Sequence, residues 1–531
     1  MDEFDYIVAG AGSAGCAVAA RLSEKPSNRV LLLEVGGRDT SPKIHVPAGY
    51  YWMMYDPRFS WCYETEAVPE AGGRKMVWPR GRVLGGSSSI NGLIFIRGQK
   101  EDYDHWRQLG NTGWSYEDVL PLFRKSEDQE RGADDFHGRG GPLKVSDIHA
   151  RRPICDAFIE AAAACGHPRN DDFNGRSQEG VGYYQTTSRD GRRCSAAVGY
   201  LKPARGRRNL KIETGALASR IVVEDGRAIA LRYLKGDREH EVRVRGEIVV
   251  SGGSINSPQL LQISGIGPGQ LLGRIGVEIV REIPGVGENL QDHYQSRLVH
   301  EVLPGNSLND DVKGVFRRGL VGLDYILNRK GPLTVSAGVV GLFARTRPEL
   351  ATPDVQYHHI VFSADKPQER SLHDYAGITL SVCQLRPESR GYVRAGSADA
   401  RARPAIQPNF LDAELDRRTM VAGLKLGREI CGHEAYARLV KRETLPGPDI
   451  ADDDALLQYI RETGGTIYHP VGTCRMGPDA GAVVDERLRV KGLRGLRVAD
   501  CSIMPTLVSG NTNAPAIMIG EKAAAMILED A

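Results

Sequence analysis

The chain has 531 residues, 41% of them apolar, and carries 69 Lys and Arg against 67 Asp and Glu, a formal net charge of +2. That apolar share excludes a disordered or fibrous chain, and the length allows roughly two to four domains. Charges this evenly balanced set up no strong single-sign field, which argues against nucleic acid or an anionic membrane as the main partner.

Residues 5–9 (DYIVA) form a short β-prone apolar run, and 13–23 place Ala17, Val18, Ala20 and Leu22 at helical spacing. Residues 29–34 (RVLLLE) read as a buried strand. Strand, helix and strand within about 30 residues predict a βαβ unit in a parallel sheet. Between the first strand and the helix stands Gly10-Ala11-Gly12-Ser13-Ala14-Gly15, a G-x-G-x-x-G. Gly10 permits the tight turn, Gly12 lets a pyrophosphate approach the backbone, and Gly15 lets helix and strand pack closely. Free amides at Ser13 and Ala14 favour a diphosphate, and Glu34 can accept hydrogen bonds from a ribose. The acid counts against NADP, but this motif alone does not separate FAD from NAD.

An aromatic-rich stretch follows, with Tyr50, Tyr51, Trp52, Tyr55, Phe59, Trp61 and Tyr63. It can cover a substrate entrance or simply pack. Gly85-Gly86 and Ser87-Ser88-Ser89 offer backbone amides and hydroxyls to phosphates or a flavin edge. Residues 131–141 (RGADDFHGRGG) read as a charged surface loop. Apolar strands at 212–213, 220–223, 230–234 and 247–251 suggest a return to the first sheet. The stretch from about 300 to 465 has no glycine fingerprint, mixes helical with extended pieces such as 378–384, and reads as a second domain inserted into the first.

His358-His359 is half a metal site without an acidic or cysteine partner at useful spacing, so a solvated or core pair is expected and no metal. Pro515 opens a strongly helical run at 516–528. The nine cysteines are scattered and form no C-x-x-C pair, so a reducing, cytoplasmic setting is expected. Cys474 and Cys501 are read as packing. No basic region followed by an apolar run opens the chain, and no stretch approaches 18 apolar residues. Neither a signal peptide nor a transmembrane segment is expected.

Five longer motifs carry a resemblance: residues 81–91 (GRVLGGSSSIN), 253–267 (GSINSPQLLQISGIG), 285–293 (GVGENLQDH), 468–472 (YHPVG) and 499–515 (ADCSIMPTLVSGNTNAP). With these the chain resembles the glucose–methanol–choline family of FAD oxidoreductases nearly end to end, and most of all its bacterial alcohol, choline and L-sorbose dehydrogenase branch. The resemblance implies a mixed α/β and α+β fold. A Rossmann-like FAD domain would be assembled from residues 1–299, with some substrate-domain elements around 40–75 and 150–200, and a C-terminal segment 466–531. An α+β substrate domain would span 300–465.

It further implies that Val83, Asn91, Gly92, Leu93 and Ile94 lie along the flavin, beside Gly86 and Ser87. Ala218 would touch adenine, and Asp500 and Cys501 the ribityl–diphosphate region. Tyr468, Thr512 and Asn513 would complete the cofactor contacts. Ile90 stands where choline oxidases carry a histidine bonded to the flavin, so the FAD should be non-covalent. By the same resemblance His469 is the base that takes an alcohol proton while hydride moves to flavin N5. Asn511 would hold the oxygen, and the helix after Pro515 would face the pyrimidine side of the flavin. The expected reaction is oxidation of an alcohol to an aldehyde or ketone. A polyol such as L-sorbose, choline or another primary alcohol stays open as substrate, and a quinone, a dye or O2 as acceptor. The rivals are an O2-using alcohol oxidase, an FAD-containing cyanohydrin lyase and an NAD-linked dehydrogenase.

Overall fold

The computed structural model describes residues 2–365 and 371–531. Strand Glu3–Ala9, helix Ser13–Leu22 and strand Val30–Glu34 form the parallel βαβ unit. Every residue of Val30–Glu34 is buried, as expected of an apolar parallel strand covered on both faces. Leu210–Thr214 extends the sheet on one side, and Arg238–Val250 joins Glu3–Ala9 on the other, both in parallel. Arg238–Val250 is long enough to serve two neighbourhoods. Its first half pairs with Arg227–Lys235, which pairs in turn with Ala216–Glu224, all antiparallel. Its last residues pair in parallel with Leu496–Val498. Widely separated stretches of chain therefore share one seven-stranded sheet.

Ala9 and Val250 end side by side. From them the chain turns through Gly10 and through Gly252-Gly253 into the helices Ser13–Leu22 and Gly253–Ile263. Ligands of open α/β sheets bind in such a crevice, beyond the carboxyl ends of the strands. A third helix, Asn513–Asp530, begins earlier than the sequence pattern suggested and packs along Ser13–Leu22. Gly520 makes this close packing possible, since a Cβ there would stand 2.5 Å from the Ala14 carbonyl oxygen.

A second seven-stranded sheet is antiparallel throughout. Its main run is Tyr294–Val302, Gly377–Gln384, Val355–Ile360, Val340–Ala344 and Gly180–Tyr183. Val440–Leu445 and Gly465–Thr466 pair with the outer side of Tyr294–Val302. This sheet draws strands from well before residue 300. Helix Glu414–Gly432 packs against it, while residues of the opposite face line a cavity between the two sheets.

The loop at 131–141 is more firmly held than its sequence suggests. His137 is 4% exposed, with Nδ1 3.0 Å from Glu127 and Nε2 2.9 Å from Asp172. Burial opposes a charge on this ring, but the hydrogen bonds to Asp172 and Glu127 outweigh it and raise the pKa to about 9. All nine cysteines are free. Among the described residues no helix is long and apolar enough to cross a membrane, and no group of His, Cys, Asp and Glu could hold a metal ion.

Candidate active site

Three helix N-termini, at Ser13, Gly253 and Asn513, meet on one cavity. The Ser13 hydroxyl donates to Asn513 Oδ1 at 2.8 Å and ties two of them together. Their aligned dipoles suit an anion, although the Gly253 amide is already taken by the Asp500 carboxylate. The glycines divide into two kinds. A Cβ at Gly10, Gly15 or Gly86 would meet backbone at 2.4, 1.9 and 2.7 Å, so the protein's own packing requires those three. A Cβ at Gly12 would find nothing nearer than Ser251 O at 3.9 Å. The missing side chain at Gly12 therefore leaves room for something other than protein.

Most residues singled out from the sequence line this cavity: Gly10, Gly12, Ser13, Ala14, Glu34, Gly86, Ser87, Asn91, Gly92, Leu93, Ile94, Ala218, Tyr468, His469, Asp500, Cys501, Asn511, Thr512 and Asn513. Gly15 and Val83 do not; Gly15 sits under the first turn, and Val83 packs with Ile44, Met53 and Ile90. Glu34 accepts from the Ala11 and Gly36 amides, yet burial dominates and lifts its pKa to about 7. Further donors, such as ribose hydroxyls, would favour its charged form. Asp500 uses its carboxylate within the protein, accepting from the amides of Gly253 and Ser502 and from the Ser257 hydroxyl. Cys474 is fully buried off the cavity, whereas Cys501 lines it. Of the aromatic stretch, Tyr50, Tyr51, Tyr55 and Trp61 reach the wall.

His469 lies within a continuous hydrogen-bonded chain. At one end, His293 Nε2 is 3.1 Å from the Leu385 carbonyl oxygen and must donate to it. His293 is neutral, because burial pushes its pKa down to about 4. Its Nδ1 is then an acceptor, so the proton between it and His469 Nδ1, 3.0 Å away, belongs to His469. That leaves a lone pair on His469 Nε2, facing Asn511 Nδ2 at 3.2 Å. From the other end, the Tyr184 hydroxyl donates to the Tyr357 carbonyl and accepts from Gln356 Nε2, which also donates to Asn511 Oδ1. Two backbone carbonyls thereby fix the tautomer of His469 and the orientation of Asn511.

Asp292 shapes the loop that presents His469. Its carboxyl accepts from the His293 and His469 amides and from the Thr466 hydroxyl. Tyr468 adopts φ +71, a region that side chains rarely occupy. The Arg80 guanidinium on its carbonyl and Tyr55 on its hydroxyl hold it there. Such strain is typical of functional loops. Asp292 and His293 close the 285–293 motif, but no role was read for them from sequence. The sequence carried no local signal for Gln356, Arg80 or Arg297. His358 and His359, read as a pair, point apart. His359 meets Phe158 and Tyr436 in the core, and His358 lines the cavity.

Two family models of GMC oxidoreductases match residues 4–295 and 387–520. The chain belongs to the GMC oxidoreductase family. It is 42% identical to an alcohol dehydrogenase [acceptor] of Pseudomonas putida, over 99% of this chain and 96% of that one. It is 41% identical to the mitochondrial choline dehydrogenase of Homo sapiens, over 99% and 90%. A solved formate oxidase of Aspergillus oryzae RIB40, studied for its FAD modification, superposes with a TM-score of 0.93 at 26% identity, covering 100% and 98%.

This GMC oxidoreductase is an FAD enzyme that acts on alcohols. Its residues fit the cofactor. The open place at Gly12 and the three helix N-termini suit the diphosphate, and the buried acid Glu34 suits a ribose. Glu34 and His469 line one cavity, long enough for a dinucleotide to reach from one to the other.

Proposed function

We propose that His469 takes the hydroxyl proton of a primary alcohol on Nε2 while Asn511 Nδ2 holds the same oxygen. The observation that carries this is the hydrogen-bonded chain through His293 and Gln356, which leaves His469 Nε2 unprotonated beside an amide donor. Bound FAD supplies the two-electron acceptor for the hydride of the carbinol carbon. His469 and Asn511 supply proton removal and stabilisation of the developing alkoxide. Ile90 presents a hydrocarbon side chain to the cavity, in keeping with FAD held by contacts alone. The residues named from sequence along the cavity are assigned to the cofactor.

The substrate wall is the inner face of the second sheet. Arg297, Ser381 and His358 are cross-strand neighbours there, next to Gln295, Thr379 and Ile360. Among the described residues the acids that line the cavity are Glu34 and Asp500, both at the nucleotide end. Arg297 is half-buried and has no ion pair with a described residue. A quaternary ammonium would meet a guanidinium here and no carboxylate among the described residues. Uncharged alcohols therefore fit the wall, and choline fits it least. We assign residues 300–465, together with Gly180–Tyr183 and Tyr294–Val302, chiefly to the substrate, and the remainder of 1–299 with 466–531 chiefly to FAD. The free cysteines support a reducing compartment, the cytoplasm.

Anaerobic mixing of the purified enzyme with a series of alcohols tests this reading. Bleaching of the flavin identifies a redox substrate and excludes a lyase. The rate constant per molar choline should fall at least about 10²-fold below that of a simple primary alcohol. Equal rates would remove Arg297 from the argument, and no bleaching by any alcohol would remove the reaction.

A further inference from the structure

Helix Val315–Asn328 is built the wrong way round for a protein in water. An amphipathic surface helix normally turns its apolar stripe to the core. Here Val315, Phe316, Leu320, Leu323, Ile326 and Leu327 are all at least half exposed, Val315 at 86% and Phe316 at 79%. At about 100° per residue these six fall within one arc of about 140°. On the opposite side Tyr325, the helix's one buried residue, donates its hydroxyl to the Gly191 carbonyl at 2.8 Å. The stripe therefore points away from the molecule.

Along the helix itself the charges are one-sided, while of the two acids just before it Asp311 is paired with Arg152. Residues 313–330 hold Lys313, Arg317, Arg318, Arg329 and Lys330 against the single acid Asp324. None of these cations has an ion pair with a described residue; Arg317, Arg318 and Lys313 donate to backbone carbonyls. The near-zero charge of the whole chain hides this local excess. Two copies meeting through this face would stack cations on cations, which opposes self-association. An anionic lipid surface satisfies both features, taking the apolar stripe among acyl chains and the basic flank among headgroups.

The position in the fold adds a consequence. Beyond the helix, the turn Pro332–Thr334 packs against the turn Pro47–Gly49. The chain then enters Tyr50–Met53, where Trp52 is 39% exposed and Tyr50 and Tyr51 line the cavity. Tryptophan is favoured at membrane interfaces. We propose that Val315–Asn328 lies in the interface of an anionic bilayer and docks the enzyme there, with this aromatic wall of the cavity on the docked side.

Cosedimentation of the FAD-loaded enzyme with vesicles tests this, using phosphatidylcholine alone or with about 30% phosphatidylglycerol. The expected result is binding to the anionic vesicles that weakens at least about 10-fold when salt is raised. Exchanging Phe316, Leu323 and Leu327 together for Glu should cut partitioning at least about 100-fold. The pair Arg317→Gln and Arg318→Gln should weaken it less. Both variants should retain FAD and oxidise an alcohol in solution at the normal rate. A Phe316→Trp probe should shift its fluorescence to the blue on anionic vesicles, and it keeps the test open if the triple variant misfolds. Unbound wild-type protein with both vesicle types would overturn the proposal. So would a triple variant that still binds, or one that changes only the oligomeric mass, which would assign the face to a second copy.

Discussion

Burial, with the adjacent His293, His358 and Arg80, holds the His469 imidazole well below the ordinary histidine range. A base is active when neutral, so protonation near pH 6.5 is avoided. Flavin reduction by an alcohol should therefore be flat through pH 6.5 and fall only at markedly lower pH. An acid limb centred near 6.5 in anaerobic rate measurements would show that the imidazole is not held as described. On the proposed mechanism His293 acts through His469, as a positioning residue. His293→Phe removes the acceptor for the His469 Nδ1 proton and should slow flavin reduction at least about 10-fold. His293→Asn, whose amide oxygen can accept that proton, should recover part of the loss; equal defects in the two variants would leave only a packing role. Neither His293 nor Gln356 could be assigned from local sequence, because their partners His469 and Asn511 lie 176 and 155 residues away.

At the scale of elements, the first βαβ unit was legible because its signals are local: apolar strand, glycine turn, helix and terminal acid within the first 34 residues. The glycine turn gives a paired prediction. Gly12→Val projects into the cavity and should fold as apoprotein without retaining FAD. Gly15→Val drives its Cβ against the Gly10 carbonyl and should fail to fold. Circular dichroism with flavin absorbance separates the outcomes, and retained FAD in Gly12→Val would contradict the assignment of the phosphate site. The loop at 131–141 was less legible, since its partners Glu127 and Asp172 flank it in sequence without any pattern. Its His137 has a pKa raised to about 9, from the ordinary 6.5. The stability it contributes is complete below about pH 6.5 and is lost as pH rises through about 9. Thermal melts of His137→Phe should lack that part of the alkaline decline; identical pH dependence in both proteins would remove the charge from His137.

For the whole molecule, the two sheets explain why the second was harder to read than the first. Arg297, Ser381 and His358 become neighbours through antiparallel pairing, and nothing local to any one of them announces the others. Charge shows the same limit of scale, since a balanced total conceals the basic flank of Val315–Asn328. Acid precipitation should release intact FAD, because Ile90 on the cavity wall offers no nucleophile to a flavin; flavin retained on the pelleted chain would contradict this.

The most direct test is anaerobic stopped-flow reduction of the bound flavin by an alcohol, comparing wild type with His469→Ala. The variant should bind FAD normally and reduce it at least about 10²-fold more slowly. Asn511→Ala, measured alongside, should lose activity through a missing hydrogen bond to the oxygen. Flavin reduction in His469→Ala at the wild-type rate would show that the base is elsewhere.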